Sequence, residues 1–237
     1  MTIYDRTLFF DAVRSSLFSG RLTQQQVDGM NFKLDVWQAH HDGKDRRWLA
    51  YGLATSMHET ASTMWPVEEY GKGSGQPYGK VNAETGFAYF GRGDVQLTWD
   101  YNYKNATMRL SLSGDNDLYW HPDKALDAKI SADVMFLGMQ QGWFRPGNNL
   151  DTYFSSSVDD AYNAREIING DKKIVPSWSN GVSIGNLIKG YHGKFLSALN
   201  TSAMETPPAP IDEDLVITME IPDGIRVIIN GQTFMVT

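Results

Sequence analysis

Two glutamates nine residues apart could place a pair of carboxylates on opposite sides of one cleft. Glu59 falls in a stretch with helical periodicity, whereas Glu68 follows Pro66 and leads into a glycine-rich loop. Carboxyl groups in different surroundings can differ in protonation, as the hydrolysis of glycosidic bonds requires. Glu69 adjoins Glu68, and neighbouring side chains of an extended segment point in opposite directions. Only one of these two can therefore face a given site.

Each acid also has an ordinary explanation. An isolated helical glutamate is most often a solvated surface residue, and Glu68-Glu69 could be a charged pair on a loop. His58-Glu59 resembles the start of a zinc motif, but His-Glu-x-x-His needs a second histidine where Ser62 stands. The other histidines lack metal-ligand spacing to His58. We therefore expect neither a metal site nor a cofactor.

A second segment with chemical potential surrounds Arg92. Glycines on both sides of this arginine let the backbone approach another group closely, while the guanidinium supplies a fixed cation. Neutral hydrogen-bonding side chains of the kind that hold sugar hydroxyls follow at Gln96, Thr98, Tyr101 and Asn102. The segment could equally be a tight turn with a structural arginine.

A third polar segment ends at Asn169-Gly170, a pair that typically stops a helix. Taken singly, Arg165 and Glu166 could be ordinary charges on a helix surface, and Asn169 an ordinary cap. None of these residues identifies a site alone.

The composition limits the possible partners. The 237 residues are 41% hydrophobic and carry a formal net charge of −7. An acidic chain without a basic stripe is poorly suited to nucleic acid, and a neutral or mixed polymer such as a glycan fits better. The absence of cysteine excludes disulfides and thiolate metal sites. The first residues do not resemble a signal peptide, and no apolar window is long enough for stable membrane insertion.

Apolar periodicity predicts helices over most of residues 1–203. Thr23 is a good N-cap for a helix that continues to Trp37, and a second helix is predicted from about Asp45 to Thr63. On this second helix small and polar residues share a face with Glu59, which is typical of a cleft wall; they are Gly52, Thr55 and Ser56. Further helices are predicted at Tyr101–Leu110, Lys124–Gln141, Val158–Ile168 and Ile184–Leu199. The glycines between Gly71 and Gly93 predict a loop or short hairpin.

The composition changes near residue 204. Residues 204–214 are predicted to form a proline-rich acidic linker, and residues 215–237 a small β tail. Strands are predicted at Leu215–Ile221, Ile225–Ile229 and Gln232–Val236, separated by Asp-Gly and Asn-Gly turns. Three short strands bury too little surface alone, so the tail should dock on the main domain or pair with copies of itself.

Four ordered segments resemble glycoside hydrolase family 19, the chitinase family that also contains many bacteriophage endolysins. His58-Glu59-Thr60 is similar to the family's His-Glu-Thr helix, and Val67-Glu68-Glu69 to its Val-Glu-Glu/Gln segment. Residues 90–103 resemble the signature Tyr-Gly-Arg-Gly-Pro-Ile-Gln-Leu-Thr-Trp-Asn-Tyr-Asn-Tyr. Ile167–Gly170 is identical to the element Ile-Ile-Asn-Gly. The similarity extends from about Leu22 to Leu199.

Several positions depart from that pattern. Ala61-Ser62 replace two glycines that follow His-Glu-Thr in many members, so the local backbone is expected to differ. Asp94-Val95 replace the Pro-Ile of the signature. The plant enzymes' disulfides and several of their loops are missing, and the β tail has no counterpart in the family core. Short loops and the lack of a signal peptide look more like a phage endolysin than a secreted chitinase.

The resemblance implies a mainly α, lysozyme-like fold with two lobes and a short β-hairpin region at the cleft. It implies Glu59 as the general acid and Glu68 as the general base. The base would activate water on the opposite face of the sugar and invert the anomeric centre, which needs carboxyl groups about 6.5–9.5 Å apart. Arg92 and Gln96 would orient the acids, and Asn169 would help to hold substrate or water. The full set of predicted substrate-binding residues is His58, Thr60, Tyr89, Arg92, Gln96, Thr98, Trp99, Tyr101, Asn102 and Asn169.

The implied activity is hydrolysis of the β-1,4 glycosidic bonds of bacterial peptidoglycan, that is, a muramidase of the endolysin type. Its partner would be the peptidoglycan glycan strand, and it would collect in the host cytoplasm until a holin opens the membrane. One alternative keeps the machinery but acts on chitin. Another is a virion or wall-binding protein that has a hydrolase-like domain and oligomerises through its tail.

Overall fold

The computed structural model describes residues 2–205, 226–229 and 232–235. The chain divides into one compact unit, Met1–Glu205, and a second, Thr206–Thr237. Met204 and Glu205, predicted as the start of the linker, instead belong to the strand Ala203–Glu205, which pairs with the first strand of the chain. The rest of the predicted linker and the predicted strand Leu215–Ile221 lie outside the described residues.

Helices make up most of the first unit, which confirms the mainly α prediction. The α-helices of the described residues are α1 (Arg6–Ser16), α2 (Gln24–His40), α3 (Arg46–Glu59), α4 (Asp100–Arg109), α5 (Ala128–Gln141), α6 (Leu150–Tyr153) and α7 (Ile184–Ser202). Short 3-10 helices lie at Pro77–Gly79, Gly114–Asn116, Pro122–Leu126 and Asn163–Ile167. In the described part of the chain, no helix is long and apolar enough to cross a membrane.

The strands are short and pair in antiparallel twos. In the first unit β1 (Thr2–Tyr4) pairs with β4 (Ala203–Glu205), and β2 (Val67–Glu68) pairs with β3 (Arg92–Gly93). The β2–β3 pair is the short β-hairpin region expected at the cleft, although β2 precedes the glycine-rich segment Gly71–Gly93 and only β3 lies within it. In the second unit β5 (Arg226–Ile229) pairs with β6 (Gln232–Met235), with Ile229 opposite Gln232.

Local sequence signals explain where the helices begin. Thr23 caps α2 as predicted: its hydroxyl accepts a hydrogen bond from the Gln26 amide, and the Gln26 side chain accepts one from the Thr23 amide. The Asp45 carboxylate accepts the Arg47 amide at the start of α3. Asp127 similarly caps α5 through the amides of Lys129 and Ile130.

Helix α3 is the centre of the core, because every residue from Leu49 to Met57 is buried. The prediction that its small residues line a cleft is wrong. A Cβ atom on Gly52 would lie 2.7 Å from Cε1 of Phe136, so this glycine makes room for an aromatic ring of α5. Ser56 is fully buried and donates a hydrogen bond to Asp94. Among Gly52, Thr55, Ser56 and Glu59, only Glu59 lines the cavity described below.

A buried ion pair joins α2, α3, α5 and the segment after β3. Lys33 Nζ lies 2.8 Å from Oδ1 of Asp94, and the two side chains are 2% and 0% exposed. The hydroxyls of Ser56 and Ser131 each donate to Asp94 at 2.7 Å, and Lys33 also donates to the Met64 carbonyl at 2.7 Å. These hydrogen bonds satisfy charges that would otherwise be costly to bury.

Three predicted helices begin, end or form differently. The helix predicted at Lys124–Gln141 begins at Ala128, after the 3-10 helix Pro122–Leu126. The second predicted helix ends at Glu59 rather than Thr63. The predicted helix Val158–Ile168 is instead an irregular segment with a turn, followed by the 3-10 helix Asn163–Ile167. Asp160 accepts hydrogen bonds from both the backbone and the side chain of Asn163, and such local side-chain contacts compete with a regular helix.

Candidate active site

Glu59 is the last residue of α3, and the chain reverses directly after it. The Thr60 hydroxyl donates to the Ser56 carbonyl at 2.7 Å and accepts the Met64 amide at 3.1 Å. Ala61 and Ser62 have φ angles of 48° and 65°, in the left-handed region that glycine favours. The sequence predicted an altered backbone where Ala61-Ser62 replace two glycines. In the structure these two L-residues adopt a conformation that glycine favours, so the backbone there is strained. A fixed helix end positions the Glu59 carboxyl.

Glu59 opens into a cavity of about 540 Å³, within the ~300–1,000 Å³ range of small-molecule sites. The cavity lies among the end of α3, the hairpin region, the start of α4 and the loop after the 3-10 helix Asn163–Ile167. Its lining residues are Glu59, Glu69, Tyr78, Gly91, Val95, Gln96, Leu97, Thr98, Trp99, Tyr101, Asn102, Phe144, Arg145, Ile168 and Asn169.

Arg165 connects Glu59 to a second acid, Asp171. The Arg165 side chain is 3% exposed; its Nη1 pairs with Oε1 of Glu59, and its Nε and Nη2 contact the two oxygens of Asp171 at 2.6 and 2.9 Å. Burial alone would lower the pKa of Arg165, but the negative charges of Glu59 and Asp171 outweigh it and raise that pKa. Burial would raise the pKa of Asp171, yet the hydrogen bonds and charge of Arg165 hold it below its usual value. The reading of Arg165 as a surface charge is therefore wrong.

The adjacent acids Glu68 and Glu69 lie in different surroundings. Glu69 lines the cavity: its Oε2 accepts the Gly91 amide at 3.0 Å, and its Oε1 accepts the Tyr78 hydroxyl at 3.1 Å. Glu68 is absent from the lining and pairs with Lys72 Nζ at 2.8 Å and Arg92 Nε at 3.6 Å. The catalytic role of Glu68 stays a prediction.

Gln96 braces the hairpin region from inside the cavity. Its Nε2 donates to the Val67 carbonyl at 3.0 Å and to the Gly93 carbonyl at 3.2 Å, so it bridges β2 and β3. A Cβ atom on Gly91 would lie 2.7 Å from Oε1 of Gln96, which explains the glycine there. The side chain thus lines the cavity and holds the backbone that carries Glu69.

Aromatic rings form one wall. Trp99 and Tyr101 stack with ring centroids 6.0 Å apart and planes 21° apart, and Tyr78 meets Trp99 edge-on at 5.4 Å. Trp99 and Tyr101 are 36% and 61% exposed and both line the cavity, so part of each side chain is accessible to a ligand. Asn102 is fixed beside them by donating to the Thr98 carbonyl at 2.9 Å. Aromatic faces next to amides suit the apolar faces and hydroxyls of sugars.

The structure brings together six of the ten predicted substrate-binding residues: Gln96, Thr98, Trp99, Tyr101, Asn102 and Asn169. The other four lie outside the lining. Thr60 is fully buried, and Tyr89, 2% exposed, donates to the Tyr119 carbonyl at 2.6 Å. Arg92 is 4% exposed and lies over the Phe90 ring, 3.7 Å from its centroid. His58 lies 6.4 Å from the Trp178 ring, and burial lowers the pKa of its imidazole.

Sequence reasoning did not assign a role to Glu69, Tyr78 or Arg145 in the lining, or to Asp171. The alternation of side chains along an extended segment was the available signal for Glu69. Asp171 gave no signal, because its importance depends on Arg165 being buried against Glu59. Among the described residues no cluster of three or more His, Asp or Glu could hold a metal ion.

The solved structures that this chain resembles include chitinases. The chain is 21% identical to chitinase C from Streptomyces griseus, with a TM-score of 0.53, covering 84% of this chain and 93% of that one. A point mutant of chitinase C gives 19% identity, a TM-score of 0.52 and coverage of 85% and 95%. No protein-family profile matches the sequence, and a search of curated proteins finds no match. The chain therefore shares its fold with these chitinases, as the resemblance implied.

Proposed function

We propose that this chain is a glycoside hydrolase that cleaves β-1,4 glycosidic bonds of bacterial peptidoglycan by general acid–base catalysis. The observation that carries the proposal is the meeting of two carboxyl groups, Glu59 and Glu69, in one cavity with six predicted sugar-binding side chains. Most enzymes that hydrolyse glycosidic bonds use two carboxyl groups that flank the scissile bond. The shared fold with chitinase C supports the same class of chemistry.

Glu59 acts as the acid. Its proton passes to the glycosidic oxygen as the bond from that oxygen to C1 breaks. A water oxygen forms the new bond to C1, and a second carboxylate, from the pair at positions 68 and 69, takes the water's proton. Glu59 must carry a proton at the start, and Asp171 gives Arg165 another carboxylate to pair with in that state.

Two polymers are candidates for the substrate. Peptidoglycan and chitin both contain β-1,4-linked N-acetylglucosamine, so the same aromatic wall and amides suit either. The motif spacing and short loops resemble endolysins and favour peptidoglycan, which would make this a host-lysis enzyme of a bacteriophage. Chitin is the second candidate because chitinase C has this fold. Product analysis on purified sacculi and on chitin oligomers separates the two.

Replacing the acid tests the whole proposal. Glu59→Gln keeps the shape of the side chain but removes its proton, so clearing of outer-membrane-permeabilised Gram-negative cells and cleavage of chitin oligomers should both fall by about 10²–10⁴-fold. Glu84→Gln makes the same chemical change at an exposed glutamate outside the cavity and should act like the parent. The proposal is wrong if Glu59→Gln keeps the parent rate on both substrates, or if the parent cleaves neither.

A further inference from the structure

Of the described residues that line the cavity, Arg145 alone carries a positive charge. From its setting we infer that it is a specificity-determining residue that binds a carboxylate on the peptide stems of peptidoglycan. The inference rests on the proposed hydrolase function and names the group that separates its two candidate polymers. The stems hang from the N-acetylmuramic acid units of peptidoglycan and carry carboxylates, whereas chitin carries hydroxyls and neutral acetamido groups.

A β-turn fixes the backbone of Arg145 in the cavity wall. The Asn148 amide donates to the Arg145 carbonyl at 3.1 Å, and Gly147 has a φ of 80°. Proline at the second position and a glycine of positive φ at the third are typical of a type II turn, here formed by residues 145–148. The side chain therefore starts from a defined position.

The guanidinium of Arg145 is held on two sides. Its Nη1 donates to Oε2 of Glu166. A Cβ atom on Gly170 would lie 3.2 Å from Nη1 and 3.4 Å from Nη2, so the missing side chain at this position lets the guanidinium lie against the backbone. These contacts orient the group.

Part of the guanidinium remains available to a ligand. The side chain of Arg145 is 39% exposed, and within the part of the chain that the structure describes only its Nη1 has a hydrogen-bond partner. Nε and Nη2 form one edge of the planar guanidinium and can donate two parallel hydrogen bonds to one carboxylate. The arrangement therefore suits an anion with two oxygens.

The charges next to Arg145 leave a net positive charge. Glu166 is shared by two cations, because Lys172 Nζ lies 3.1 Å from its Oε1 while Arg145 pairs with its Oε2. Burial would raise the pKa of Glu166, but the hydrogen bonds and charges of Lys172 and Arg145 hold it below its usual value, so this carboxyl is ionised. Two cations around one anion can still attract a second anion.

The other polar groups of the wall suit the neutral part of a glycan. Hydroxyls and acetamido groups need only neutral donors and acceptors, of the kind that Thr98, Asn102 and Asn169 supply. A guanidinium adds binding energy chiefly for an anion, because hydrogen bonds with charged partners are about twice as strong as neutral ones. An ionised acid such as Glu69 would repel the same anion. A carboxylate on the polymer is therefore bound at Arg145.

Substrates that differ only in charge test the inference. We would measure kcat and KM on soluble, uncross-linked peptidoglycan strands, on the same strands after their carboxylates are converted to neutral amides, and on chitin oligomers. Arg145→Gln should raise KM for the carboxylated strands by about 10–100-fold, the loss expected for a charge-assisted hydrogen bond. Its kcat should not change, and neither should its constants for the two neutral substrates, because the contact contributes to binding alone.

The matched control is Arg14→Gln. Arg14 is 44% exposed, pairs with one acid, Asp11, and lies on α1 outside the cavity, so this variant should equal the parent on all three substrates. The parent gives a second measurement that needs no variant, since its KM should be lower for the carboxylated strands than for the amidated ones. The net charge of −7 opposes binding of an anionic strand, so that preference requires a local cation.

Three results would overturn the inference and leave the hydrolase chemistry standing. They are an unchanged KM of Arg145→Gln for carboxylated strands, an equal increase for carboxylated and amidated strands, and a parent that prefers amidated strands or cleaves chitin oligomers alone. A parent that cleaves no glycan at all instead defeats the proposed function, and the inference with it.

Discussion

Single residues around Glu59 show how much of the site depends on long-range contacts. Arg165 lies 106 positions after Glu59 and six before Asp171, and it bonds to both. The motif resemblance predicted Gln96, Thr98 and Asn169 in the lining because each belongs to a signature with strict spacing. The pairing of Arg165 could not be predicted, since a charged residue looks the same in sequence whether it is buried or solvated.

The backbone of the turn after Glu59 is strained at Ala61, and the energetic cost of that strain can be measured. Ala61 is exposed and has a φ of 48°, a conformation that costs an L-residue roughly 1–2 kcal/mol relative to glycine. Ala61→Gly should therefore raise the free energy of unfolding by about 1 kcal/mol in a urea titration, despite the greater freedom of glycine in the unfolded chain.

The matched control for this turn is Ala39→Gly, at an exposed position in α2. Glycine is unfavourable in a helix by up to about 1 kcal/mol, so this variant should lose stability. Equal losses at both positions would contradict the argument from strain.

At the scale of elements, apolar periodicity predicted the helices that form the core. Thr23 and the spacing that follows it located α2, and similar stripes located α3, α5 and α7. Periodicity failed at Val158–Ile168, where Asp160 bonds to Asn163 and the chain forms a 3-10 helix. It also did not locate α1. It missed the β1–β4 pair because strand pairing across some 200 residues leaves no local pattern.

The packing of α7 on α3 predicts a loss of stability in acid. His192 is 5% exposed between the rings of Tyr51 and Phe154, and burial lowers its pKa to about 4. An unfolded histidine binds a proton below about pH 6.5, so between about pH 6.5 and 4 the unfolded chain binds more protons than the folded one. This histidine's contribution is complete above pH 6.5 and is lost as the pH falls, by about 3 kcal/mol at pH 4.

Urea unfolding at pH 7, 5 and 4 measures this effect. His58 and His41 also have a pKa lowered by burial, so the parent curve contains their contributions as well. His192→Gln removes one titrating group, and the difference between its curve and the parent curve isolates His192. Parallel curves over this pH range would show that His192 does not titrate as the structure implies.

On the scale of the whole molecule, the chain has a small second unit, Thr206–Thr237, in addition to the unit that carries the candidate site. The β5–β6 hairpin is a two-stranded pair of four residues each, and such a pair is marginal by itself in water. We therefore expect the C-terminal unit to gain stability by associating with other copies, as the alternative of an assembly tail proposes.

Light scattering tests that expectation. The full chain should have a mass above that of a monomer, and a chain ending at Glu205, which keeps β4 intact, should be monomeric. Equal monomeric masses would remove self-association. Glycan cleavage by the shortened chain at the parent rate would further show that the proposed chemistry belongs to the first unit.

The buried pair of Lys33 and Asp94 has a consequence for how this sequence can change. Asp94 stands where the family signature has proline, and its carboxylate neutralises an ammonium that is 2% exposed. A proline at position 94 alone would leave that ammonium without a counter-charge, at a cost of about 3–5 kcal/mol. The residues at positions 33 and 94 therefore depend on each other. A proline at position 94 would be tolerated only if Lys33 were replaced in the same step.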